Sequence, residues 1–317
     1  ALKIVEAAAE AGAQMLKLQT YKPDTMTIDV KDGDFFIGDP KSLWKGTSLY
    51  NLYKKAHTPW EWHKVIIKKS NQLGMQCFST PFDESAVDFL ETLNVPAYKI
   101  ASFENTHLPL IRKVAKTGKP VIVSTGLANK LEIEETVKTL KDAGCDQFAL
   151  LKCTSTYPSL PENSNVLTIP NMREHFQCEV GLSDHTMGFG AALAAISHGA
   201  TIIEKHFTLD RNDGGVDSSF SIEPEEMKIL VMEATRTWQS LGKVYYGPTD
   251  SEKEGLQFRR SLYVVENMEM GEKFTKKNLR IIRPGKGLAP KYYDQVIGRK
   301  VNQKLKKGTP IKWDFLS

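Results

Sequence analysis

Two histidines close matched strand-like runs, V-G-L-S-D-H at 180–185 and T-I-I-E-K-H at 201–206, so His185 and His206 each follow an apolar stretch. The alanine-rich segment between them, 189–199, has the length of one helix. Together they read as a β-α-β unit with an imidazole at the C-terminal end of each strand. Neighbouring parallel strands lie about 4.8 Å apart and an imidazole ligates at about 2.1 Å, so two rings at one level can hold a single divalent ion. A lone histidine at a strand end is usually a structural hydrogen-bonding residue. The matched pair is what points to a metal, with Asp184 and Glu204 beside it as partners for the rings.

Other strand-like runs end in polar residues of one consistent kind: Lys17 and Gln19, Thr80, Lys99 and Ser102, Ser124, Thr154 with Tyr157, Ser183, and Glu204. Each of these serines alone would be read as a turn or capping residue. As a set, two lysines and several hydroxyls make a pocket for a small phosphorylated carboxylate, because hydroxyls donate hydrogen bonds and ammonium groups offset charge. Asp217, in D-G-G-V-D-S-S, is a candidate for gripping sugar hydroxyls, although an aspartate beside glycines is ordinary turn chemistry.

The elements that must position these residues alternate in type. Strand-like runs at 14–21, 76–82, 98–104, 121–126, 148–153, 180–185 and 201–207 are followed by helical segments such as 84–94, 109–117, 131–144 and 223–241. This alternation predicts parallel strands with right-handed crossovers. The chain opens on a helical pattern, 1–12, with no strand before it, so an eight-stranded (β/α)8 TIM barrel is expected whose first strand lies upstream of Ala1. A seven-stranded or open sheet is the alternative.

Residues 22–57 read as a long irregular lid or binding loop. The T-P-W-E-W-H that follows predicts a helix start with Thr58 as N-cap, Pro59 at the first position and Glu61 as capping acid. Trp44, Trp60 and Trp62 could wall a sugar-binding surface beside this lid. The barrel domain is placed at 1–241, a Gly-Pro-containing linker at 242–257, and a basic module of short β-like runs at 258–317. That module repeats itself faintly, G-E-K-F-T-K-K-N-L from Gly271 against G-T-P-I-K-W-D-F from Gly308, and it presents Arg283 in R-P-G-K-G.

Composition excludes several classes. With 42 basic and 38 acidic residues the net charge of +4 is too slight for a nucleic-acid partner. No apolar run approaches the ~18 residues needed to span a membrane. Cys77, Cys145, Cys153 and Cys178 form no C-x-x-C pair and read as reduced core thiols of a cytoplasmic protein.

K-L-Q-T, F-S-T-P-F, Y-K-I-A-S-F-E, S-T-G, C-T-S-T-Y-P, G-L-S-D-H-T and E-K-H-F, followed by R-P-G-K-G, occur in this order along nearly the whole chain. In this the chain resembles the sialic acid synthase family. L-W-K-G-T-S-L-Y-N-L-Y, Y-K-I-A-S-F-E and Ser155 are most similar to its pseudaminic acid branch, where N-acetylneuraminate enzymes usually carry Y-K-I-G-S-G-E and an asparagine. The resemblance implies condensation of phosphoenolpyruvate with an open-chain amino-sugar aldehyde, 2,4-diacetamido-2,4,6-trideoxy-altrose for that branch, releasing phosphate. It implies that His185 and His206 bind Mn²⁺, with Mg²⁺ or Co²⁺ as alternatives. Lys17, Thr80, Lys99, Ser102, Ser124 and Ser183 would hold phosphoenolpyruvate, and Gln19, Tyr157 and Asp217 would face the sugar. The terminal module resembles the antifreeze-like (SAF) domain, which implies a domain-swapped homodimer with Arg283 in the partner's barrel. A glutamate and an N-H-x-G segment that the family carries on its first strand and following loop are not among these residues. On the residues alone, two other readings stay open: a Schiff-base aldolase using Lys99 or Lys152, and a non-catalytic carbohydrate-binding protein.

Overall fold

The computed structural model describes residues Ala1–Ser317, which separate into two compact units, Ala1–Gly242 and Lys243–Ser317. In the first, seven parallel strands follow one another in chain order: β1 Met15–Thr20, β2 Gln76–Pro81, β3 Tyr98–Ile100, β4 Val121–Ser124, β5 Phe148–Cys153, β6 Glu179–Asp184 and β7 Ile203–Lys205. Consecutive order with a helix after most strands is the (β/α)8 TIM-barrel pattern, of which seven strands are present. The sheet is strongly curled. Lys17 on β1 and Glu204 on β7 stand on the two outermost strands, yet their charged atoms meet at 2.5 Å. Side by side in a flat sheet, strands that far apart would be separated by more than about 25 Å.

Alternation along each strand sorts the side chains. Tyr98 and Ile100, Val121 and Val123, Leu150, and Val180 and Leu182 belong to the main core, together with Leu90, Leu110, Ile111, Leu140 and Ile169 from the helices. Lys99, Ser124, Cys153, Ser183 and Glu204 alternate with them and therefore point to the barrel axis. Helix Leu2–Glu10 packs Val5 and Ala8 against Ile66, Met75 and Cys77.

Several sequence expectations need correction. β3 is only Tyr98–Ile100 and gives way to a 3₁₀ turn, Ser102–Glu104, while β7 is likewise short. The lid is not irregular throughout, since helix Leu49–Ala56 lies within it, capped by the Ser48 hydroxyl accepting from the Asn51 N–H. Thr58 does not cap the next helix. Trp60–Gln72 starts one residue late with Pro59 at the N-cap and no side-chain cap. Its first turn is pinned instead by Trp60, which stacks on Phe89 at 4.4 Å and donates its indole N–H to the Tyr21 carbonyl.

The second unit pairs β8 Ser261–Val264 with β9 Leu279–Ile282, antiparallel, around Leu262, Val264, Met268, Phe274, Leu279, Val296, Val301, Leu305 and Ile311. The faint repeat is structural. Gly271 and Gly308 both have φ near +90°, each stands three residues before a fully buried side chain (Phe274, Ile311), and each donates its N–H at 2.8 Å to a valine carbonyl, Val301 and Val264 respectively. Residues 250–257, expected to be linker, belong to a 3₁₀ run, Asp250–Phe258.

Candidate active site

The floor of the barrel mouth is a charge cluster gathered on one atom. Glu204 Oε1 accepts from Lys17 Nζ at 2.5 Å, Lys99 Nζ at 3.0 Å and Ser183 Oγ at 3.2 Å. Burial works against the Glu204 charge, but Lys17 and Lys99 outweigh it and hold the carboxyl far below the usual range. Burial pushes the Lys99 ammonium down to about 8 in spite of Glu204, with Lys17 adding to the fall. Two lysines in a pocket with one carboxylate leave positive charge for an anion.

Around this cluster stand hydroxyls with nothing to bond. Thr80 Oγ1 and Ser124 Oγ are buried without a partner, which is costly unless a ligand supplies one. Thr80 lies opposite Gln19 in the β1–β2 register. Ser102 accepts the Gly126 N–H at 3.1 Å. A Cβ at Gly126 would sit 2.2 Å from Ser155 Oγ and 2.7 Å from Ser102 Oγ, so any larger residue would force both hydroxyls from their places.

The histidines stand next to each other, ring centroids 5.3 Å apart. His185 Nδ1 lies 2.9 Å from the Thr154 carbonyl, so the N–H tautomer there leaves Nε2 with its lone pair. His206 Nδ1 faces Asp217 Oδ2 at 3.5 Å. Burial favours the neutral form of His206, which is the form that ligates. The two imidazoles are donors of the kind that suit a divalent ion, although no set of three His, Cys, Asp or Glu side chains is arranged to hold one.

The ring partners differ from those expected: Asp184 and Glu204 bond to lysines, and Thr154 and Asp217 take their place. Tyr157 lies 4.5 Å from the His185 ring and 6.1 Å from Trp44, ring centre to ring centre. Trp44 in turn bonds to the Val216 carbonyl, closing the lid onto the loop of Asp217. Of the three tryptophans, only Trp44 joins this wall, since Trp60 is occupied by Phe89 and Trp62 is exposed. Lys152 alternates onto the outer face, with its ammonium on the Cys153 carbonyl, and so is no candidate for a Schiff base in the pocket.

Arg283 is exposed in the second unit. Two further groups face the site without having been singled out from sequence. Glu104, on the 3₁₀ turn after β3, has a buried oxygen without a partner, and burial pushes its carboxyl up to about 7 although Lys99 opposes this. Cys153 stands 3.9 Å from His185 Nδ1. The signal for Glu104 was its place in Y-K-I-A-S-F-E, five residues after Lys99.

Comparison with known proteins places the chain in a family. Residues 4–246 match the NeuB family and residues 259–317 match the SAF domain. Pseudaminic acid synthase of Campylobacter jejuni is 40% identical over 315 residues, covering 98% of this chain and 90% of that protein. The Helicobacter pylori pseudaminic acid synthase is 39% identical over 312 residues, covering 98% and 91%. The crystal structure of N-acetylneuraminic acid synthetase from Leptospira borgpetersenii, in complex with citrate, superimposes with TM-score 0.70 at 32% identity, over 81% of this chain and 85% of that one. The chain therefore belongs to the NeuB family and ends in a SAF domain.

Proposed function

We propose that this protein is a pseudaminic acid synthase, condensing phosphoenolpyruvate with 2,4-diacetamido-2,4,6-trideoxy-altrose to give pseudaminic acid and inorganic phosphate. The observation that carries the reading is the pocket in which two lysines and partnerless hydroxyls stand beside paired imidazoles. Phosphoenolpyruvate enters as a polyanion. Lys17 and Lys99 turn from Glu204 to its oxygens, and Thr80, Ser102, Ser124 and Ser183 donate to what the lysines leave. Gln19, Tyr157 and Asp217 line the sugar side, with Trp44 behind Tyr157.

His185 and His206 would hold a divalent ion, Mn²⁺ in this reading, which when bound would supply Lewis-acid activation of the aldehyde. Carbon 3 of phosphoenolpyruvate then attacks the aldehyde carbon. Water adds to the oxocarbenium left at carbon 2, and the carbon–oxygen bond to phosphate breaks, leaving the 2-keto acid and phosphate. Lys17 and Lys99 offset the charge that accumulates on the departing phosphate. In a homodimer, Arg283 of the partner subunit completes the sugar side.

The test is phosphate release by the full-length protein with phosphoenolpyruvate and Mn²⁺, with and without chelator. The altrose derivative is expected to support chelator-sensitive turnover and N-acetylmannosamine is not. Turnover of N-acetylmannosamine alone would overturn the assignment to the pseudaminic branch.

A further inference from the structure

On the outer face of the same two strands lies a second ion pair that touches no substrate position. Asp184 and Lys205 face each other in the β6–β7 register, with side chains only 1% and 3% exposed. Lys205 Nζ donates to Asp184 Oδ2 at 2.9 Å, to the Thr186 carbonyl at 2.6 Å and to the Gly188 carbonyl at 3.0 Å. Asp184 Oδ1 accepts the Thr186 N–H at 2.9 Å. Each member immediately precedes one of the histidines, so strand alternation turns Asp184 and Lys205 outward where it turns His185 and His206 inward.

We propose that Lys205 is a positioning residue for the metal site. It ties the 184–188 turn to β7 and so fixes the height and angle of His185 relative to His206. A buried charge pair is weak as a source of stability, because desolvation cancels most of the attraction, whereas fixing one arrangement against its alternatives is a role such pairs do serve. The hydrogen bonds here favour that role. Three acceptors surround one ammonium, two of them backbone carbonyls of the turn that follows His185, so loss of the lysine removes the turn's side-chain tie to β7 and leaves it held only by Asp184 and by the bridge to Ser159.

The proposal rests on the reading of His185 and His206 as metal ligands, and its test separates the two. Mn²⁺ affinity is measured by electron paramagnetic resonance, and phosphoenolpyruvate affinity by calorimetry, on the full-length protein and on His185→Ala, Lys205→Met and the charge-neutral double variant Asp184→Asn/Lys205→Met. The double variant avoids a lone buried carboxylate, so it provides the comparison if Lys205→Met fails to fold. It is expected to lose ~10- to 100-fold in Mn²⁺ affinity, the range typical of residues that support metal ligands. Phosphoenolpyruvate affinity, which depends on Lys17 and Lys99, is expected to stay within about twofold, a split that general destabilisation would not produce. If His185→Ala weakens Mn²⁺ binding and the double variant binds it as the parent does, the positioning role is overturned and the metal site stands. If the parent protein binds no Mn²⁺, or His185→Ala changes nothing, the metal reading falls and this proposal with it.

Discussion

Glu204 is the residue on which the pocket turns, since one of its oxygens takes both lysines and Ser183. In the proposed synthase an entering polyanion competes with it for both lysines, and Lys99 favours that exchange most when charged. Because burial holds Lys99 at about 8 in the free pocket, phosphoenolpyruvate binding is expected to be strongest below that value. As pH rises through 8, binding must take up a proton, and the dissociation constant should climb by up to tenfold per unit. Calorimetry across pH 6.5 to 9.5 reads this directly, and Lys99→Met should remove the dependence together with about two orders of magnitude of affinity. These lysines were legible in the sequence because each interrupts an apolar strand. Their partner was not: Glu204 was noticed beside His206, and nothing in one strand tells which distant strand a carboxylate will meet.

Among the elements, β6 runs close against the entry to β7 at Gly181. A Cβ there would stand 2.2 Å from the Ile202 carbonyl oxygen and 2.7 Å from Leu151, contacts that backbone cannot yield without shifting β7. Gly181→Ala is expected to cost about 1–3 kcal/mol, as overpacked core sites do, and to weaken Mn²⁺ binding at the proposed site because His206 directly follows β7. Thermal unfolding and metal titration of the same variant test both parts. The strand–helix alternation was readable because apolar runs and helical periods are local properties. The shortness of β3 and the late start of Trp60–Gln72 were not, since the first depends on where the barrel wall turns and the second on the stacking of Trp60 against a phenylalanine far along the chain.

For the whole molecule, the two units carry separate cores. Phe274→Ala should cost the SAF unit about 3–5 kcal/mol, visible in calorimetry as a lowered transition for that unit while the barrel's transition keeps its temperature. Arg283→Ala should fold normally yet lose turnover, and full activity in that variant would remove Arg283 from the site. The Asp250–Phe258 3₁₀ run carries one local signal, the capping box of Thr249 and Glu252, which the linker reading passed over. The repeat in the SAF unit reaches further than its glycines. One constant offset along the chain carries Val264 to Val301, Gly271 to Gly308, Phe274 to Ile311 and Leu279 to Leu316. The bridges follow it, Val264 with Leu279 and Val301 with Leu316, and Met268 pairs with Leu305, its own counterpart. The module is thus a duplicated half folded about a pseudo-dyad that runs between Met268 and Leu305. The R-P-G-K-G loop falls in the joint between the halves, where symmetry imposes no matching residue and Arg283 is free to specialise.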